Sequence, residues 1–216
     1  MRFTIIIPCY IAEPWIEQTL KSALNQTYDD VEVIFVDNES TDRSLEIAKS
    51  IKQENQELII SMAENIYPNC WDEARSEGFR LMSGQYVLVM GADDYLHPEF
   101  VSNCMKIFNK NPEKIMALQS PIKGVHSDKQ IIVNEVAHRY KNLNEFKKLC
   151  LIKCPVNTPT VVYNTKLFKD GLLETTPEVY GGAADYDLYC RLAENKIFIY
   201  SPPVWLGFYY RWHDKQ

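Results

Sequence analysis

The chain has 216 residues, of which 46% are hydrophobic, and its formal net charge is −6 at pH 7. This length fits one domain, and the hydrophobic content is too high for a disordered chain. The acidic balance argues against non-specific nucleic-acid binding, and no apolar run approaches the roughly 20 residues of a membrane span, so any membrane contact is expected to be peripheral.

In the first half of the chain, nearly continuous apolar runs alternate with segments that have helical spacing. The predicted elements are strands at 3–8, 31–37, 57–62 and 86–91 and helices at 13–25, 40–51, 69–82 and 98–108. Ser40 or Thr41 is the predicted N-cap of the second helix. Buried strands separated by helices are typical of a parallel sheet that is covered on both faces. The predicted fold class is therefore α/β, with a Rossmann-like, mostly parallel central sheet flanked by helices.

The second half has a less regular pattern. The predicted elements are strands at 114–125, 130–136 and 159–164, helices at 143–151 and 185–195, and one or two strands within 196–213. The sequence contains no internal repeat and no clear linker, so we expect the two halves to share one sheet in one domain.

Polar side chains follow three of the predicted strands. The turns are "PCYIAEP" at 8–14, "DNESTD" at 37–42 and "GADD" at 91–94. Because ligands of open α/β sheets bind outside the carboxyl ends of the strands, these turns should line one crevice. Such an acidic crevice would repel an anionic ligand unless a divalent cation bridged the carboxylates and the ligand. Because the available ligand atoms are oxygens, Mg²⁺ or Mn²⁺ is the expected cation. The adjacent Asp93 and Asp94 are therefore predicted to hold a metal that holds a diphosphate.

The residues named so far belong to a longer series of motifs. In order, the chain contains "TIIIPCY", "VIFVDNESTDRS", "ARSEG", "YVLVMGADDYLHP", "GGAADYDLYCRL" and "YYRWH". This series resembles the family 2 glycosyltransferases over residues 3 to 213. The resemblance implies an inverting enzyme with the GT-A fold and a nucleotide-sugar donor. It also implies a single domain over 1–216, with a nucleotide-binding half at about 1–98 and an acceptor-binding half at about 99–216.

The resemblance implies a donor site in the first half of the chain. Pro8, Tyr10, Glu13 and Asp37 would line the nucleoside pocket, with Asp37 accepting a hydrogen bond from the base. That contact suits uracil, whose N3–H is a donor, so a UDP-sugar is expected. Arg75, in "ARSEG", would face the donor phosphates, although a surface helix charge would account equally well for this residue.

The resemblance also implies a metal site and a catalytic base. Asp93, with Asp94 beside it, would bind Mn²⁺ or Mg²⁺, His213 would approach the metal or the diphosphate, and Arg211 would support His213. Asp185 would be the general base that takes the proton of the acceptor hydroxyl. The simpler alternatives are a helix cap for the two aspartates, a helix-dipole contact for Asp185 and a frayed tail around His213.

Two other functions are compatible with parts of the pattern. Gly91 stands where the family often has aspartate, and Ala184 where it commonly has glutamate, which leaves open a degenerate module that binds nucleotide without transfer. A nucleotidyltransferase would need a Gly-rich loop with a basic residue after the first strand, and "PCYIAEP" has neither. Transfer is therefore the preferred hypothesis.

The expected setting follows from the family and from the cysteines. The acceptor would be a glycan or a lipid-linked saccharide in bacterial polysaccharide biosynthesis, with no nucleic-acid partner. The six cysteines form no CxxC pair and no zinc-site spacing, which favours reduced thiols. We therefore expect a cytoplasmic protein with at most peripheral contact with the inner face of the membrane.

Overall fold

Ten strands and eight α-helices are present in the described residues of the computed structural model, which are 1–66, 71–111, 114–126, 132–134 and 140–214. The strands are β1 (Phe3–Cys9), β2 (Val31–Asp37), β3 (Ile59–Met62), β4 (Tyr86–Val89), β5 (Tyr95–Leu96), β6 (Ala117–Gln119), β7 (Ile122–His126), β8 (Ile132–Asn134), β9 (Val161–Asn164) and β10 (Phe208–Trp212). The helices are α1 (Ile16–Leu24), α2 (Ser44–Glu54), α3 (Asp72–Leu81), α4 (Phe100–Lys110), α5 (Leu143–Cys150), α6 (Lys166–Lys169), α7 (Pro177–Tyr180) and α8 (Ala184–Glu194).

The larger sheet has six strands in the order β3-β2-β1-β4-β9-β6. Strands β1 to β4 pair in parallel, whereas β9 runs antiparallel to both β4 and β6. The sheet is therefore mostly parallel and flanked by helices, which confirms the predicted fold class. Its first four strands follow one another through helical crossovers, so the turns after β1, β2 and β4 lie at one edge.

Both faces of the larger sheet are buried. Ile5 and Ile7 of β1 point into an apolar cluster with α1, α2 and α4, while Ile6 points into a second cluster with α3, α5 and α8. This two-sided burial explains why β1, β2 and β4 read as continuous apolar runs. None of the helices in the described residues combines the length and apolar content needed to cross a bilayer.

Both halves contribute strands to the larger sheet, as expected, but a second sheet that was not predicted is also present in the described residues. Strands β6 and β9 of the second half join the larger sheet, but a second sheet has the order β5-β10-β7-β8. On its inner face, Phe208 and Ile122 are buried, while their neighbours Tyr209 and Lys123 are only partly buried. Because these strands have one face against the core and one toward solvent, their sequences alternate instead of forming continuous apolar runs.

The prediction that Ser40 or Thr41 caps α2 is wrong. The helix begins at Ser44, and neither Ser40 nor Thr41 caps it. The Asp42 carboxylate instead accepts the backbone N–H of Ser44 at 3.0 Å. The Ser40 hydroxyl is used elsewhere, because it accepts the backbone N–H of Ile11 at 3.1 Å.

Candidate functional site

The turns after β1 and β2 are joined directly to each other. Cys9 and Asp37 are paired at the ends of their strands, and the N–H of Asn38 donates to the carbonyl of Cys9 at 2.8 Å. This pairing brings Pro8, Tyr10 and Asp37 to one edge of the sheet, as predicted. Pro8 is buried, whereas Tyr10 is 49% exposed at this edge.

The loop after β1 is fastened to the start of α2. The backbone N–H of Ala12 donates to Ser44 Oγ at 2.9 Å, and that of Glu13 donates to Asp42 Oδ2 at 2.9 Å. Burial pushes the pKa of Asp42 up, but the hydrogen bonds from Ser44 and Glu13 outweigh it and lower the pKa. Glu13 in turn accepts the N–H of Arg43 at 3.2 Å. The predicted nucleoside-pocket residue Glu13 thus has one carboxylate oxygen engaged in holding this loop.

Asp37 has one oxygen available to a ligand. Its side chain is 1% exposed, and Oδ2 accepts the backbone N–H of Ser40 at 3.1 Å. The other oxygen, Oδ1, is buried and has no hydrogen-bond partner among the described residues. A buried acceptor without a donor is costly, so this atom suits a ligand N–H.

Asp93 and His213 meet at the turn after β4. His213 Nε2 lies 2.9 Å from Asp93 Oδ2, and the imidazole stacks on the Trp15 ring with centroids 3.9 Å apart. The His213 side chain is mostly buried, so the tail at this point is packed rather than frayed. Gly91 leaves room for the carboxylate, because a Cβ there would lie 2.5 Å from Asp93 Oδ1.

Asp94 and Arg211 lie beneath this turn and support it. Asp94 is 1% exposed and accepts the backbone N–H of Arg211 at 2.9 Å. Burial, together with the Asp93 charge, raises the pKa of Asp94 well above its usual range. The Arg211 side chain donates through Nε to the carbonyl of Asp93 at 2.6 Å and through Nη2 to Gln18 at 2.9 Å. Both residues therefore connect β10 to the turn that carries Asp93.

The side chains at this turn fit a divalent cation that is shared with a ligand. A carboxylate oxygen and an imidazole nitrogen are ligands that Mn²⁺ accepts. No group of three or more His, Cys, Asp or Glu side chains suited to a metal occurs within the described part of the chain. Asp93 and His213 would thus supply two ligands, and diphosphate oxygens and water would supply the others, as is usual for cations that bind nucleotide phosphates.

A second cluster lines a small cleft of about 70 Å³ at the start of α8. Its lining residues are Trp71, Asp72, Arg75, Thr158, Thr175, Gly181, Gly182, Ala184 and Asp185. The predicted phosphate-binding Arg75 and the predicted base Asp185 therefore share one cleft. The Thr158 hydroxyl donates to Asp185 Oδ2, so the other carboxylate oxygen is left for a ligand.

Arg75 is held rigidly in this cleft. Its side chain is 9% exposed, and Nη2 lies 3.0 Å from Asp72 Oδ1. Thr175 donates to Asp72 and accepts from Arg75, which closes a three-residue network. Arg75 Nε is buried and has no hydrogen-bond partner among the residues that the structure describes. This donor suits an anionic or hydroxyl-bearing ligand.

Trp15, Thr158 and Thr175 are among the residues of these clusters that were not predicted from the sequence. Trp15 follows "AEP" directly, so the motif itself was the available signal. Thr158 and Thr175 lie in no motif, and they are 27 and 103 residues from the aspartates they contact. Only the tertiary structure brings them to the site.

Comparisons with known proteins agree on one family. Residues 4–176 match the model for "Glycosyl transferase family 2". A chondroitin synthase from Pasteurella multocida (strain Pm70) is 27% identical over 194 residues, which cover 88% of this chain and 19% of the synthase. The chain therefore spans about a fifth of the length of that relative.

Two solved structures have similar folds. S. aureus TarS 1-349 in complex with UDP-GlcNAc superposes with a TM-score of 0.75 at 22% identity, covering 99% of this chain and 59% of TarS. A mannosyltransferase from Pyrobaculum calidifontis, PcManGT, in complex with GDP-Man and Mn²⁺, has a TM-score of 0.68 at 18% identity, covering 94% of this chain and 55% of the other. These similarities concern the fold, which is GT-A.

Proposed function

Because the chain belongs to glycosyl transferase family 2, we propose that it transfers a sugar from a UDP-sugar to a hydroxyl acceptor, with inversion at the anomeric carbon. The observation that carries this proposal is the sheet edge where the unpartnered oxygen of Asp37, at the end of β2, and the Asp93–His213 pair, after β4, lie on either side of β1. The Asp37 oxygen suits the N–H of a nucleobase, and the Asp93–His213 pair suits a cation that binds diphosphate. The TarS complex with UDP-GlcNAc supports the choice of UDP.

The proposed donor contacts follow from these positions. Asp37 Oδ1 accepts the N3–H of uracil, and the exposed Tyr10 ring stacks on the base. Asp93 and His213 hold Mn²⁺ or Mg²⁺, which supplies positive charge to the leaving diphosphate when bound. Asp94, predicted as a metal ligand beside Asp93, and Arg211, predicted to support His213, act instead by positioning Asp93.

The proposed chemistry is a single displacement. The acceptor oxygen forms a bond to the anomeric carbon while the bond from that carbon to the diphosphate oxygen breaks. The proton of the acceptor hydroxyl moves to the free oxygen of Asp185, and the electron pair of the broken bond leaves with the diphosphate. Arg75, in the same cleft, stabilises charge on the donor.

The acceptor class is inferred from relatives. The Pasteurella match is named a chondroitin synthase, so we propose a glycan or lipid-linked saccharide acceptor in polysaccharide synthesis. We further propose that the chain acts in the bacterial cytoplasm, with peripheral contact with the membrane.

The donor site is tested by thermal unfolding with UDP, GDP or CDP, each with and without Mn²⁺. Ligand at a hundred times its Kd adds about 2.7 kcal/mol of stability. We expect stabilisation by UDP that requires Mn²⁺ and is lost in Asp93→Ala and His213→Ala. The control Asp29→Ala changes an exposed aspartate in another turn and should keep the response. No response from folded wild-type protein would contradict transferase function and favour a degenerate module.

The base is tested separately by Asp185→Asn. This variant should keep Mn²⁺-dependent UDP binding but lose turnover by about a hundredfold or more, because general base catalysis contributes typically that much. Turnover is measured as UDP release from a panel of UDP-sugars that includes UDP-GlcNAc. Wild-type turnover in Asp185→Asn would remove Asp185 as the base.

A further inference from the structure

The turn after α5 exposes two adjacent aliphatic side chains almost completely. Leu151 is 86% exposed and Ile152 is 79% exposed, more than any other large apolar side chain in the described residues. The next most exposed is Val179 of α7, at 66%. Single exposed apolar residues are common on protein surfaces, but an adjacent aliphatic pair at the tip of a turn is a feature of interaction sites.

Lysines surround this pair. Lys147, Lys148 and Lys153 are exposed, and the segment 146–156 contains no acidic residue, although the whole chain has a net charge of −6. No ion pair involves these three lysines within the part of the chain that the structure describes. The last turn of α5 together with the turn that follows it, defined here as the basic apolar tip (147–153), is thus a local cationic patch on an acidic protein.

The basic apolar tip lies beside the proposed acceptor cleft. The Tyr186 hydroxyl donates to the carbonyl of Cys150, which fixes the middle of the tip, where α5 ends, to the residue after Asp185. A few residues beyond the tip, Thr158 donates to Asp185. The segment 150–158 therefore wraps around the N-terminus of α8, where the cleft opens.

Val179 and Tyr180 add apolar surface near the same cleft. They end α7, directly before Gly181 and Gly182, which line the cleft. Both side chains are exposed, Tyr180 at 51%. Exposed apolar side chains therefore lie next to the cleft in two places, at the end of α7 and in the basic apolar tip.

We propose that the basic apolar tip binds the surface of an anionic lipid bilayer. Leu151 and Ile152 would enter the interface below the headgroups, and the three lysines would contact the anionic headgroups. The charge of the tip is complementary to that surface and opposite to the charge of the rest of the chain. This gives a specific site to the proposed peripheral contact and, if the proposed function holds, favours an acceptor that is anchored in lipid.

The test uses the full chain and sedimentation with vesicles of phosphatidylcholine alone or mixed in equal parts with phosphatidylglycerol. We expect binding to the mixed vesicles that weakens as salt is added. The double variant Leu151→Ser/Ile152→Ser should bind at least about tenfold more weakly, because it loses two inserted side chains. Lysine-to-glutamine changes at 147, 148 and 153 should weaken binding roughly fivefold each, from about 1 kcal/mol per lysine.

A matched control changes exposed apolar residues elsewhere. Met62→Ser/Val204→Ser replaces two side chains that are also more than half exposed, and it should leave vesicle binding unchanged. All variants are checked for unaltered thermal unfolding, which is expected at such exposed positions. Equal binding by wild type and Leu151→Ser/Ile152→Ser, or no preference for anionic vesicles, would overturn the proposal.

Three further outcomes distinguish a lipid-binding tip from a dimer interface and from the donor site. Concentration-dependent dimers that Leu151→Ser/Ile152→Ser abolishes, without vesicle binding, would overturn the proposal in favour of a second copy as the occupant. Vesicle binding by protein that does not respond to UDP would support the basic apolar tip while contradicting transferase function. A UDP response in protein that binds no vesicles would do the reverse.

Discussion

Thr158 leaves Asp185 with one carboxylate oxygen for an acceptor hydroxyl, because its own hydroxyl occupies the other. The charged and titratable groups around this carboxylate include Arg75 and Asp72 of α3 in the shared cleft, Tyr163 of β9, Tyr189 of α8 and Cys154. A fixed hydroxyl donor holds the carboxylate in one orientation and so directs its other oxygen. Thr158 is therefore a positioning residue for the proposed base.

Thr158→Val should lower kcat roughly tenfold while the KM for donor changes little, because the Asp185 carboxylate loses the hydroxyl that orients it. UDP release at varied donor concentration measures both constants. Thr158→Ser should restore the wild-type kcat. Thr160→Val, in the same turn but with its hydroxyl donating to the carbonyl of Asn157, should leave kcat unchanged. An unchanged kcat in Thr158→Val would show that the contact is only structural.

Ile11 has a left-handed backbone conformation, which suits glycine or asparagine better than a β-branched residue. Its φ is +51°, in the left-handed region where a β-branched residue is strained by about 1–2 kcal/mol. Asparagine and glycine adopt this region readily. Isoleucine at this position is thus a local cost in stability.

Ile11→Asn and Ile11→Gly should raise the free energy of unfolding by about 1 kcal/mol, measured by urea denaturation. Ile11→Ala is the control, because alanine keeps its Cβ and so keeps the strain. Stabilisation by alanine as well would mean that the exposed isoleucine side chain, rather than its backbone, is responsible.

The residues of the site differ in how well the sequence predicts them. Four site residues could be predicted because each lies in a short local pattern, either at a strand end or in a helix motif: Asp37, Asp93, Arg75 and Asp185. The Trp15–His213 stack and the Gln18–Arg211 bond join residues nearly 200 positions apart. No local pattern contains such pairs, so they could be seen only in the folded chain.

At the scale of elements, the close approach of α3 to β1 depends on a glycine. A Cβ at Gly78 would lie 2.3 Å from Cγ2 of Ile6, which is fully buried in the central strand. A β-branched side chain in a packed strand has few alternative rotamers, so it cannot give way cheaply. This packing fixes the helix that carries Asp72 and Arg75.

Gly78→Ala should lower the free energy of unfolding by about 1–3 kcal/mol, because overpacking outweighs the roughly 1 kcal/mol that alanine gains in helix propensity. Urea denaturation measures the change. Gly182→Ala is the matched control, since a Cβ there meets nothing within 4 Å. Equal stability of Gly78→Ala and wild type would mean that α3 can move away from β1.

Glu77 joins the same helix to β3. Hydrogen bonds from Arg80 and Ser61 lower the pKa of Glu77 to about 2. A carboxylate whose pKa is lower in the folded state stabilises the protein above its unfolded-state pKa of about 4.3, and this contribution is lost as pH falls toward 2.

Glu77→Gln should cost about 0.5–1 kcal/mol near neutral pH, a value kept small because Arg80 is largely exposed. Urea denaturation at a series of pH values should show the gap between variant and wild type closing below about pH 4. A gap that stays constant with pH would mean that shape, and not charge, explains the effect.

At the scale of elements, strands were predicted most accurately where both of their faces are buried. Strands β1, β2 and β4 are buried on both faces, so their apolar runs were sufficient. Strand β5 has only two residues, and no periodicity can be read from so short a segment. The antiparallel insertion of β9 between β4 and β6 is decided by tertiary packing.

At the scale of the whole molecule, the five described cysteines form no disulfide, and three of them are buried. Burial raises the pKa of Cys9 and of Cys150 to about 12, and that of Cys154 to about 11. Since the thiolate is the reactive form, these thiols should react slowly while the protein is folded.

In a Cys70→Ser variant, which removes the cysteine outside the described residues, thiol labelling at mildly alkaline pH should follow global unfolding. Adding urea in steps and comparing the labelling rate with loss of circular dichroism measures this. Rapid labelling of one thiol in folded protein would reveal local opening of the element that carries it.

The Asp93–His213 contact joins residues 120 positions apart. A ribosome adds about 5–20 residues per second, so roughly 6–24 seconds separate the synthesis of these two side chains. During that interval the residues of β1 to β4 have been synthesised, but Asp94 still lacks the backbone N–H of Arg211. The turn that carries Asp93 would therefore be incomplete in a nascent chain, and the proposed cation site would be assembled only after the last strand is made.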